Sequence, residues 1–68
     1  MNEDAFNMSV RKFLKQVGIT AQREIESAVR DALAQGGLAG SETLEAKATI
    51  TLASTKLHLV VNGDIELD

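Results

Sequence analysis

The strongest constraint on this chain is an alternation that runs unbroken through its last third. Leu57, Leu59, Val61, Gly63, Ile65 and Leu67 all occupy odd positions, and Lys56, His58, Asn62, Asp64, Glu66 and Asp68 lie among their even neighbours. That is the period-2 pattern of a strand with one apolar face. A slip of one residue in pairing would carry the whole apolar set to the other face, so parity decides the register. A second alternating run precedes it, with Leu44, Ala46, Ala48, Ile50 and Leu52 separated by Glu45, Lys47, Thr49 and Thr51. Ala53-Ser54-Thr55-Lys56 between the two runs reads as a turn.

Asn62-Gly63 is ordinarily a strong signal for a two-residue hairpin turn. Here such a turn would set Val61 opposite Asp64 and Leu59 opposite Glu66, apolar side chains against carboxylates. Two arrangements keep the parity. One is a three-residue loop, Asn62 to Asp64, leading into a short third strand. The other is a single strand through Gly63, antiparallel to residues 44–52. In the second, Leu52 faces Leu57, Ile50 faces Leu59, Ala48 faces Val61, Ala46 faces Gly63 and Leu44 faces Ile65. We favour this long hairpin, with Gly63 as a bend or bulge.

The first half of the chain has a different period. Phe6, Val10, Phe13, Leu14 and Val17 follow the spacing of one helix face. Asn2 suits an N-cap, and Glu3 and Asp4 suit the positive end of the helix dipole. Gly18 reads as a left-handed stop. Thr20 then reads as the cap of a second helix, with Ile25, Ala28, Val29, Ala32 and Leu33 on its apolar face and Glu26 and Arg30 paired at i, i+4. Gly36 and Gly37 end it, and residues 36–41 read as a flexible link.

The expected fold is therefore α+β and a single small domain, residues 1–68. Two N-terminal helices, about 3–17 and 21–35, pack on a C-terminal antiparallel β-hairpin, about 43–52 and 57–67. At 68 residues, with two Phe, no Trp, no Tyr and no Cys, such a domain lacks large core side chains and disulfides. Small domains of this kind need a further staple, and association with a second copy is the one left. A two-stranded sheet keeps two open edges. Edge pairing of two copies would give a four-stranded sheet with four helices.

Charge narrows the partners. The formal net charge is -3. Residues 1–35 balance to zero, and the deficit lies in residues 36–68, where Glu42, Glu45, Asp64, Glu66 and Asp68 outnumber Lys47 and Lys56. Neither half carries the basic excess of a polyphosphate binder. No apolar run is long enough to span a bilayer, and the N-terminus lacks a signal-peptide pattern. These features point to a soluble cytoplasmic protein.

Few constellations carry chemistry. Gly18-Ile19-Thr20 between two helices has the look of a helix-turn-helix turn. However, Leu14 stands where a small residue is expected, Glu24 and Ser27 stand at expected apolar positions, and the second helix would present Glu24, Glu26 and Asp31 to a polyanion. Arg11 and Lys15 lie one turn apart and could meet an acidic partner. Asp64, Glu66 and Asp68 project from one strand face, with Glu45 across from Asp64; they could attract a cation or a basic surface, but an extended strand does not converge ligands as a calcium loop does. His58 is the sole histidine and has no companions for a zinc site. Gly36, Gly37, Gly40 and Ser41 follow a helix and lack the lysine of a phosphate loop. No catalytic, metal or cofactor site is expected, no small-molecule ligand is evident, and the chain is not expected to be an enzyme.

Residues Met1 to Lys15, then Val17-Gly18-Ile19-Thr20 and Gln22-Arg23-Glu24-Ile25-Glu26, and the closing Gly63-Asp64-Ile65-Glu66-Leu67 resemble a family of short, uncharacterised bacterial proteins of about 70 residues. The resemblance implies a free-standing bacterial protein and transfers no functional residues. The function expected from the residues is an interaction or structural module, self-associating through the hairpin edge or binding another protein. The candidate partner-binding residues are Asp64, Glu66, Asp68, Arg11 and Lys15. The alternative is a small nucleic-acid-binding regulator using segment 6–35.

Overall fold

A computed structural model describes all residues, Met1–Asp68. The chain divides into two compact units, Met1–Gly37 and Leu38–Asp68. The first holds one helix, α1, Glu3–Ala34. The second holds the strands β1, Thr43–Thr51, and β2, His58–Glu66.

The two expected helices are one. Gly18, Ile19 and Thr20 lie within α1, and the only glycines with positive φ are Gly36 and Gly40. The reason is phase. Val10, Leu14, Val17, Ala21, Ile25, Ala28 and Ala32 follow steps of four, three, four, four, three and four. That is an eleven-residue repeat, about three turns of a straight helix, so the apolar stripe crosses Gly18 without shifting. One glycine inside a helix costs about 1 kcal/mol relative to alanine. A break there would strand four carbonyls and four amides at the new ends and require a second nucleation. The smaller cost wins.

Both ends of α1 are closed by the residues expected to close them. The Asn2 side chain accepts from the Ala5 amide at 3.1 Å. At the other end the Gly37 amide donates to the Ala32 carbonyl at 2.9 Å and the Gly36 amide to the Leu33 carbonyl at 3.1 Å. This paired capping is the Schellman arrangement, and Gly36, at φ +79, supplies the left-handed residue it needs. The Glu26 carboxylate accepts from the Gln22 side-chain Nε2 at 3.2 Å.

In the second unit β1 and β2 pair antiparallel with the register that parity requires. Leu44 lies opposite Ile65, Ala46 opposite Gly63, Ala48 opposite Val61 and Ile50 opposite Leu59. Gly63 is an ordinary ladder residue, and the pairing runs past it to Thr43 and Glu66 without a bulge. The connection is tied by Thr55, whose hydroxyl donates to the Leu52 carbonyl at 2.7 Å and accepts from the Leu57 amide at 3.2 Å. No residue of either unit is buried.

Candidate functional site

The ladder has a definite phase. The Leu67 amide donates to the Glu42 carbonyl at 3.0 Å. Continued along the antiparallel register, this sets the inward-bonding residues at every second position. Leu44, Ala46, Ala48 and Ile50 turn their backbone groups toward β2. Thr43, Glu45, Lys47, Thr49 and Thr51 turn theirs to the open edge. The β1 edge thus presents five successive outward residues with no proline, glycine or bulge among them. On β2 the outward residues are His58, Val60, Asn62, Asp64 and Glu66.

Of the expected partner-binding residues, Asp64 and Glu66 lie on β2, opposite Glu45 and Thr43. Asp68 lies just beyond the strand. Glu45 and Asp64 face each other as like charges, a destabilising cross-strand pair unless a cation or basic group comes between them. The structure gathers no group of three or more His, Asp or Glu side chains placed to hold a metal ion. Arg11 and Lys15 belong to the other unit, exposed one turn apart on α1. The helix-turn-helix-like reading of residues 6–35 is overturned, since α1 runs through the residues that would have formed its turn.

The segment expected to be a plain link carries a feature no motif announced. The Glu42 carboxylate accepts from the Ala39 amide at 2.7 Å, the Gly40 amide at 2.8 Å and the Ser41 amide at 3.1 Å. Gly40, at φ +101, lets the backbone curl so that successive amides converge on one anion. Those hydrogen bonds, led by Ala39 and then Gly40, hold the Glu42 carboxyl below the ordinary glutamate range. With the folded-state value depressed, its stabilisation is present above the unfolded-state value and is lost as pH falls through the folded one. The Ala39 and Gly40 amide resonances should therefore shift together in an NMR titration, with a midpoint below that of an unstructured glutamate. In Glu42→Gln the same amides should show no such step.

One long helix followed by a two-stranded antiparallel hairpin defines the class, a small α+β chain. The chain belongs to the family described as a family of unknown function, DUF6494, which it matches over residues 1–68. Neither a curated relative nor a solved structure matches it. No helix is long and apolar enough to cross a membrane.

Proposed function

We propose that the protein is a non-enzymatic interaction module that assembles with a second copy of itself through the β1 edge. The observation that carries this reading is the row of outward backbone groups at Thr43, Glu45, Lys47, Thr49 and Thr51, on a strand with no proline or bulge to interrupt pairing. A two-stranded sheet is marginal in water, and two copies joined at β1 form a four-stranded one.

Side chains choose the register. Pairing centred on Ala46 sets Glu45 against Lys47 of the second copy, twice by symmetry, and keeps Leu44, Ala46 and Ala48 on one face. Pairing centred on Lys47 would set the two lysines against each other. The β2 edge carries Asp64 and Glu66, whose like charges disfavour self-pairing there and leave that edge to a basic partner. With one helix per copy, the dimer holds two helices rather than the four expected from two helices per chain. A cytoplasmic bacterial setting fits the absence of cysteine.

Light scattering on the gel-filtered protein at 100 μM should give twice the chain mass. Glu45→Lys exchanges two favourable cross-strand pairs for two repulsive ones, each pair worth up to about 1 kcal/mol, so association should weaken about tenfold. Glu45→Lys combined with Lys47→Glu should restore it. An association constant indifferent to Glu45→Lys overturns edge pairing.

A further inference from the structure

The balanced charge of residues 1–35 hides a segregation. From Ala5 to Arg23 α1 carries Arg11, Lys12, Lys15 and Arg23 and no acidic residue, a local charge of +4. Glu3 and Asp4 lie before this section, and Glu24, Glu26 and Asp31 lie after it. We propose that the section binds the surface of an anionic lipid bilayer, lying flat with its apolar side against the acyl chains. The proposal concerns α1 alone and does not rest on edge pairing.

Phase sorts the side chains. At 3.6 residues per turn Phe13, Phe6, Val17, Val10, Ala21 and Leu14 fall within one arc about 100° wide. Phe13 is 52% exposed, Phe6 49%, Leu14 47% and Val10 41%. The four basic residues fall on the opposite side, none within about 60° of that arc. The shoulders between are uncharged, with Thr20, Ser9 and Gln16 on one flank and Asn7 and Gly18 on the other. A helix that rests in a membrane interface has this make-up, its apolar side in the acyl boundary and its Lys and Arg above it.

The same phase ends the section. Glu24 and Asp31 lie about five turns beyond Phe6 and Phe13, so they return to the same side of the helix. A carboxylate there would meet lipid phosphates and acyl chains, and both oppose it. The membrane-facing length is therefore Phe6 to Ala21, about 24 Å at 1.5 Å per residue. One apolar side over that length suits contact along the surface rather than passage through an apolar layer about 30 Å thick.

The occupant has to be apolar and anionic at once. A nucleic acid would take the basic side and leave Phe6 and Phe13 in water. A neutral apolar partner would take the arc and leave four like charges unopposed. A bilayer with anionic headgroups offers acyl chains and negative charge together, and a plane touches only one side of a helix, as an arc of about 100° does. Arg11 and Arg23 lie at the margins of the basic side, where long stems can carry the charge down to the headgroups. Each basic residue near such a surface strengthens binding about fivefold.

Co-sedimentation of the full-length protein with vesicles reads the contact directly. In 0.1 M salt it should bind vesicles of equal phosphatidylglycerol and phosphatidylcholine at least tenfold more tightly than vesicles of phosphatidylcholine alone. Raising the salt to 1 M shortens the screening length from about 10 Å to about 3 Å and should remove that preference. Arg11→Gln with Lys15→Gln should weaken binding to the anionic vesicles about twenty-five-fold. Helicity should be unchanged, because glutamine forms helix about as well as arginine and lysine do. Phe13→Ala, which takes a ring from the apolar arc, should weaken it at least tenfold. The charge-conserving pair Arg11→Lys with Lys15→Arg should bind as the wild type does, and so should Lys56→Gln in the hairpin connection. Equal binding to both kinds of vesicle, binding to neither, or unchanged affinity in the double glutamine variant overturns the proposal. A loss in Lys56→Gln as large as that in the double variant would place the contact on the hairpin and overturn it too.

Discussion

Gly18→Pro should remove about half of the helical circular dichroism and at least about 3 kcal/mol of stability. In a continuous α1 the Gly18 amide is an interior donor to the carbonyl four residues back, at Leu14. Proline deletes that bond and drives its ring into the same carbonyl. Gly18→Ala should move helicity the other way, by about 1 kcal/mol, because its Cβ meets open space. A chain with a left-handed turn at Gly18 would reverse the second sign, since alanine is strained at positive φ. Thermal melts of the two variants followed at 222 nm decide between one helix and two.

Ala48→Pro should unfold the hairpin, and Lys47→Pro, one residue away, should leave it folded. The ladder phase set by the Leu67 amide on the Glu42 carbonyl points the Ala48 amide at β2 and the Lys47 amide outward. Proline at Ala48 therefore removes a ladder bond and leaves the Val61 carbonyl without its donor, a loss of about 1–3 kcal/mol in a sheet with little to spare. Proline at Lys47 occupies an edge position, where strands accept it. Amide exchange of Leu59, Val61 and Ile65 should accelerate in Ala48→Pro and stay at the wild-type rate in Lys47→Pro. Loss of the hairpin in Lys47→Pro with retention in Ala48→Pro would mean the ladder has the opposite phase.

The hairpin was legible because a period of two is unforgiving. Val61 and Leu59 cannot face Asp64 and Glu66 without turning an apolar face against carboxylates, so the local Asn62-Gly63 turn preference gives way. The break expected at Gly18 fails for the complementary reason. Its local preference alone reads as punctuation, yet Leu14 to Ile25 and Val17 to Ala28 are each eleven residues apart and keep one phase across it. The same test, whether the apolar face shifts across the supposed break, separates Gly18 from Gly36, beyond which the helical period ends.

The residues by themselves determined the periods, the end caps at Asn2 and Gly36, the strand register and the acidic excess of the C-terminal half. Each follows from spacing along the chain, which sequence displays directly. Only the folded chain decided that α1 is continuous, which amides of β1 point outward, and that Glu42 closes the loop at Ala39 and Gly40. Those depend on where backbone hydrogen bonds go. A carboxylate that binds three amides reads no differently in sequence from one that binds water, because the amides belong to residues whose side chains take no part.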